Sequence, residues 1–195
     1  MKIYLASASP RRRQLLEQIG IEFELLIPNV DETPLADEKA DDYVARVAEL
    51  KATTAYAMAK GDMATEKPAK DMPILAADTS VINDGVILGK PADKADCMRM
   101  LKSLSGKTHQ VKTAISVVYQ GIAITHVIST DVLFRELSDD EIEQYWLTGE
   151  PQDKAGAYGI QGIAGKFVKS INGSYSSVVG LPLLETEQLL KEVLA

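Results

Sequence analysis

The 195-residue chain carries 46% hydrophobic and 25% charged residues and a formal net charge of -7, values of an ordinary globular protein that exclude intrinsic disorder and collagen-like repeats. Its single cysteine, Cys97, excludes an intramolecular disulfide, and no apolar run approaches the roughly 20 residues of a membrane span. The acidic balance disfavours nucleic acid as a partner, so any anionic ligand needs a local positive cluster.

The apolar run after Met1 is too short for a signal peptide, which makes a soluble, cytoplasmic protein with no membrane partner the expectation. Ile3 to Ala6 reads as a short buried strand. Ser9-Pro10 then has the form of a helix start, with Ser9 at the N-cap and Pro10 at the first helical position. Leu15, Leu16 and Ile19 share one face of this helix, and Gly20 ends it. A second strand runs from Glu22 to Ile27. The acidic loop Val30 to Pro34 leads into a helix from about Asp37 to Lys60 that places Val44, Val47, Ala48, Ala52 and Ala55 at helical spacing and carries Lys51. Gly61 to Asp71 reads as a surface loop.

Pro73 to Ala77 is a short apolar strand that meets Asp78-Thr79 and continues through Ser80 to Asn83. Asp84-Gly85 predicts a tight hairpin returning through Val86 to Leu88, because both central residues of a type I′ turn need positive φ. Gly89-Lys90-Pro91 is a loop before a helix from about Asp93 to Leu104. Two long strands follow, about His109 to Tyr119 and Ile122 to Phe134, as an antiparallel pair turning at Gln120-Gly121. Ser138 to Glu141 is a capping box ahead of a helix to about Trp146. Thr148 to Gly165 is a long irregular loop, a class often functional. Phe167 to Ile171 reads as a strand, Asn172-Gly173 as a turn, and Pro182 to Leu194 as a closing helix. Parallel-compatible βα units mixed with hairpins predict an α/β or α+β fold with a mixed sheet, in two lobes of one domain over 1–195.

The most specific chemical signal is Leu5 to Arg13: a strand, a small-residue loop, and a capped helix whose first turn holds Arg11, Arg12 and Arg13. Amides at a helix N-terminus attract phosphate, whereas positive side chains there oppose the helix dipole, so an anion is expected to compensate. An isolated arginine run would simply be solvated. Asp78, after its apolar strand, can ligate a hard cation or take a proton from water, although a turn or cap role is the plainer alternative. Glu32 offers a second carboxylate. Two carboxylates with Mg²⁺ or Mn²⁺ suit phosphoryl chemistry, and Lys51 and Lys90 can add positive charge around the same phosphates. In Asp153 to Gly162 the glycines permit close backbone approach, while Gln161 can both donate and accept, as a pyrimidine edge requires. His109 and His126 lack partners at metal-ligand spacing and read as ordinary polar residues on strand faces. Cys97 reads as packing.

The strings Leu5-Ala6-Ser7-Ala8-Ser9-Pro10-Arg11-Arg12, Val30-Asp31-Glu32-Thr33, Ala77-Asp78-Thr79, Gly89-Lys90-Pro91, Asp153 to Gly162, Gly173-Ser174-Tyr175 and Val179-Gly180-Leu181-Pro182 resemble the Maf (septum formation inhibitor-like) nucleotide pyrophosphatases, nearly end to end. The resemblance implies a two-lobed mixed α/β fold around a cleft, related to the inosine triphosphatase-like architecture. It implies divalent-cation-dependent cleavage of nucleoside triphosphates between the α and β phosphates. The Ala157-Tyr158-Gly159-Ile160-Gln161-Gly162 string is similar to that of the subgroup acting on dTTP and UTP rather than 7-methyl-GTP. By the same resemblance, Asp78 is the proton acceptor. Arg11, Thr79 and Gln161 select substrate, Ser9, Arg12, Lys51 and Lys90 bind phosphates, and Glu32 joins Asp78 at the metal. Ser177 departs from the asparagine that many members carry. A homodimer is compatible with the family. Two alternatives stay open: 7-methyl-GTP as substrate, and a non-catalytic nucleotide-binding regulator of septum formation.

Overall fold

In the computed structural model, which describes residues 1–61 and 72–194, the opening strand and helix form where their residues place them. Strand β1 (Lys2–Leu5) feeds helix α1 (Pro10–Gln18), and β2 (Glu22–Leu25) lies parallel to β1 with Lys2 opposite Glu22 and Leu5 opposite Leu25. β2 stops short of Ile27. The Leu26 amide makes a last bond to the Leu5 carbonyl at 3.1 Å, and Pro28 has no N–H with which to continue. Helix α2 (Ala40–Lys60) starts three residues later than Asp37, because Asp37 holds a left-handed φ of 57° that a helix does not admit. Beyond Gly61 the expected surface loop lies outside the described residues.

Ile74 to Asn83 form one uninterrupted strand, β3, so Asp78 sits mid-strand rather than at a strand end. Asp84 (φ 49°) and Gly85 (φ 80°) turn it into β4 (Val86–Leu88) as the Asp-Gly pair predicts. Helix α3 (Lys94–Leu104) is capped by Asp93, whose carboxylate accepts the Asp96 amide at 2.8 Å. Strands β5 (Thr108–Tyr119) and β6 (Ile122–Phe134) meet at the Gln120-Gly121 turn. Helix α4 (Asp139–Leu147) carries both bonds of the Ser138–Glu141 capping box. The long loop resolves into 3₁₀ turns at Glu150–Asp153, Ala155–Ala157 and Ile163–Phe167 before β7 (Val168–Asn172). A five-residue helix, α5 (Tyr175–Val179), was not predicted. Helix α6 (Leu183–Leu194) closes the chain.

The strands make one mixed sheet in the order β2-β1-β3-β5-β6-β7, with β4 on β3. The chain divides into a first unit of residues 1–78, 113–128 and 180–195 and a second of 79–112 and 129–179. In the first, Ala52 and Ala55 of α2 pack on Tyr4, Ala6, Ile74, Ala76 and Val118, small side chains that bring the helix close to β1 and β3. In the second, Cys97, Leu101, Leu104, Phe134, Ile142 and Phe167 build a separate core. His109 lies on a face of β5, as expected, and that face is the buried one: it bonds the Tyr158 hydroxyl at 2.8 Å, and burial pushes its pKa down to about 4. Cys97 packs as expected, with its thiol pushed up to about 11 by burial. Among the described residues no helix is long and apolar enough to cross a membrane.

Candidate active site

The period of β3 explains the position of Asp78. Ile74, Ala76 and Asp78 are two residues apart and share the face on which α2 packs, so the strand that buries two apolar side chains under α2 also buries a carboxylate there. On α2, Lys51 stands four residues after Val47 and four before Ala55, within the apolar stripe. Its ammonium donates to Asp78 Oδ1 at 2.9 Å and pairs with Glu32 Oε2 at 2.9 Å. The Lys51 and Asp78 side chains are only 13% and 8% exposed, against 51% for Glu32. Asp78 is therefore the sequestered member of the trio, and Glu32 faces solvent.

Glu32 belongs to a loop, yet α2 fixes the loop's backbone. The Tyr43 hydroxyl donates to the Glu32 carbonyl at 2.9 Å, and Arg46 donates to the Thr33 carbonyl at 3.1 Å. Arg46 also grips Glu38 through two bonds of 2.6 and 2.8 Å, which holds that carboxyl down at about 2, and its guanidinium lies over the Tyr43 ring. Tyr43, Glu38 and Arg46 were not among the predicted site residues. Tyr43 and Arg46 are three apart on the helix that carries Lys51, which is the one signal the sequence offered.

Ser9 occupies the N-cap of α1, but its side chain makes no capping bond; the position was correct and the bond was not. Ser7, also missed, does the local work. Its hydroxyl oxygen accepts the Ser9 amide and Arg12 Nη1, both at 3.2 Å, while Arg12 Nε donates to the Gly180 carbonyl at 2.8 Å. Burial presses the Arg12 pKa downward, against the opposing pull of Asp78, and Arg11 adds to the depression. The positive first turn of α1 is thus partly compensated by the protein's own carboxylates, Asp78 and Glu32. Arg11 and Arg12 are half-buried. Six of the predicted residues, Ser9, Arg11, Arg12, Glu32, Lys51 and Asp78, belong to this first unit, and Lys51 joins Glu32 and Asp78 directly.

The other three lie in the second unit. Thr79 follows Asp78 in β3 and is half-buried, whereas Lys90 and Gln161 are exposed. The Gly156 amide donates to the Gly89 carbonyl at 2.9 Å, which ties the loop of Lys90 to the segment leading to Gln161. The Gly156 position leaves no room for a side chain, since a Cβ there would lie 2.8 Å from Val81.

The sequence model of the Maf-like proteins matches residues 2–193, almost the whole chain. The chain belongs to the Maf-like protein family. Among similar proteins, a dTTP/UTP pyrophosphatase of Pseudoalteromonas translucida is 52% identical over 98% of this chain and 97% of its own length. The dTTP/UTP pyrophosphatase of Vibrio parahaemolyticus is 48% identical over 100% and 98%. That of Escherichia coli O157:H7 is 48% identical over 96% and 91%.

A divalent cation can be weighed against the oxygen atoms present. Among the described residues no three His, Cys, Asp or Glu side chains converge as a full metal shell. Glu32 and Asp78 do converge on one cation, the Lys51 ammonium, so their oxygens already face a common point. Two carboxylates completed by phosphate and water oxygens are a donor set that suits Mg²⁺ or Mn²⁺.

Proposed function

We propose that the chain is a nucleoside triphosphate pyrophosphatase acting on dTTP and UTP, releasing the monophosphate and diphosphate. The observation that carries the reading is the buried Asp78 carboxylate, held by Lys51 beside Glu32 and within the field of Arg12. A carboxylate, ammonium and guanidinium gathered in one unit suit an anionic substrate whose reaction needs one proton removed from water. The dTTP/UTP pyrophosphatase names of the similar proteins support the same substrate class.

In this mechanism Asp78 accepts a proton from water as the water oxygen forms its bond to the α phosphorus. The bond from that phosphorus to the αβ-bridging oxygen breaks, and diphosphate leaves with the electron pair. Lys51 and Arg12 hold the phosphates and oppose their charge, with Ser9 and Lys90 assigned to the same task. A divalent cation held by Glu32 and Asp78 would supply further neutralisation of the phosphate oxygens. Arg11, Thr79 and Gln161 select the nucleotide. Thymine and uracil offer an N3–H donor beside an O4 acceptor, and a glutamine carboxamide carries the complementary pair.

A panel of dTTP, UTP, dCTP and 7-methyl-GTP with Mg²⁺ or Mn²⁺, read by diphosphate release, tests this. dTTP and UTP are expected to turn over fastest. Preference for 7-methyl-GTP would reassign the subgroup, and binding without diphosphate release would replace the enzyme with a regulator.

A further inference from the structure

Gln161 is exposed, and among the described residues its side chain has no hydrogen-bond partner, so its aim is inherited from the backbone that carries it. That backbone is a four-residue turn. The Gly162 amide donates to the Gly159 carbonyl at 3.0 Å, leaving Ile160 and Gln161 at the two corners. A Cβ on Gly162 would lie 2.3 Å from Glu150 Oε1, and one on Gly159 would lie 2.8 Å from Cε of Lys154. Both ends of the turn therefore rest directly on the side chains of Glu150 and Lys154. The Gly162 φ of -100° is open to any residue, so close approach is what requires glycine there.

Glu150 is the fixed point beneath the turn. Its carboxylate accepts the Tyr145 hydroxyl at 2.8 Å, the Ile163 amide at 2.9 Å and the Ala164 amide at 3.4 Å. Lys154 secures the same segment, donating to the Glu150 carbonyl at 3.1 Å and to Asp153 at 2.5 Å. Bonds from two successive amides to one carboxylate are charge-assisted and directional, so they set the height and tilt of the turn as well as holding it down.

We propose that Glu150 is a positioning residue for base selection: its carboxylate, seated under Gly162 and bonded to the Ile163 and Ala164 amides, fixes how the 159–162 turn presents Gln161 to a pyrimidine. This rests on the reading of Gln161 as a base-selecting residue. Placement decides selectivity because cytosine reverses the pattern of thymine, with an N3 acceptor beside an N4 amino donor. A carboxamide free to move can serve either base, and one held in a single pose serves one.

The test compares kcat/KM for dTTP and dCTP in the parent, Glu150→Gln, Gln161→Ala and the double variant, with thermal melts of each. Glu150→Gln keeps the shape but presents an amide donor toward backbone donors. It is expected to lower the dTTP:dCTP ratio about tenfold, through KM for dTTP more than through kcat. Gln161→Ala is expected to lower the ratio at least as much, and the double variant to match Gln161→Ala alone, because Glu150 acts through Gln161. Independent losses that multiply in the double variant would overturn the proposal, as would a folded Glu150→Gln protein with the parental ratio. If Gln161→Ala itself keeps the parental ratio, the base-selecting role of Gln161 falls, and the role of Glu150 with it. Should Glu150→Gln melt below the assay temperature, Tyr145→Phe decides. It withdraws one donor from the carboxylate and is expected to lower the ratio about threefold, whereas an unchanged ratio overturns the proposal.

Discussion

The two units hold their functional residues by different forces. In the first, Lys51 lies between Glu32 and Asp78, and Arg12 is anchored on Ser7 and Gly180. The side chains assigned to chemistry there are themselves the ties. In the second, the segment carrying Gln161 is held by its surroundings: Tyr158 meets Phe134 and His109 edge to face, Tyr145 meets Phe167, and glycines rest on Glu150 and Lys154. Gln161 itself takes no part. A centre whose working groups bind one another couples rate to stability, since removing either partner leaves a buried charge alone. A residue borne on a scaffold can be exchanged at little structural cost, and the scaffold can be damaged without touching that residue.

The largest effect expected from breaking this contrast is in the first unit. Asp78→Asn should lower kcat for dTTP about 10³-fold in steady-state diphosphate release, the scale of removing a general base, with little change in preference between nucleotides. Lys51→Met should lower kcat/KM about 100-fold. It should also cost about 3 kcal/mol in chemical denaturation, because Asp78 stays buried without its ammonium.

In the second unit the sharper handle is pH. Burial holds the His109 pKa at about 4, while an unfolded histidine titrates near its ordinary 6.5. The neutral ring's contribution is fully present above about pH 6.5 and is lost as pH falls toward 4, where the unfolded chain binds the extra proton. Replacing His109 by Phe should flatten that limb by about 2 to 3 kcal/mol in unfolding free energies measured across the window. Glu38 and Glu141, both held down from 4.5 to about 2 by arginine hydrogen bonds, lose their contribution as pH falls from about 4.5 toward 2, so the His109 limb is read above about pH 4.5, where these carboxylates do not contribute. The smallest effect is Ser7→Ala. It removes the acceptor of the Ser9 amide and Arg12, and should cost about 1 kcal/mol and raise KM a few-fold without altering base preference.

Much of this was legible because the patterns are local. The Asp84-Gly85 turn, the Ser138–Glu141 capping box and the α2 stripe each lie within a short window, and Lys51 stands in that stripe as the one cation. The strand position of His109 was legible, and so was a signal for which face it takes, although the expectation did not name one. Thr108 and Gln110 are exposed while His109 and Val111 are buried, a period-2 alternation that puts the histidine inward. The role of the glycines in 153–162 was half legible: close approach was correct, but at Gly156, Gly159 and Gly162 the approaching atoms belong to Val81, Lys154 and Glu150. The Arg46 clamp reaches from α2 back to Glu38 and Thr33 in the preceding loop, and the Arg12 bond to Gly180 joins residues far apart along the chain. No spacing rule encodes such pairs, because tertiary packing creates them. Helix α5 was missed because a five-residue helix with adjacent Val178 and Val179 carries almost no periodic signal.

The most direct measurement is hydrolysis of dTTP in ¹⁸O-labelled water with the products separated by mass. Attack by an Asp78-activated water at the α phosphorus puts the label in the monophosphate and leaves the diphosphate unlabelled. Label recovered in diphosphate or in free phosphate would contradict that chemistry.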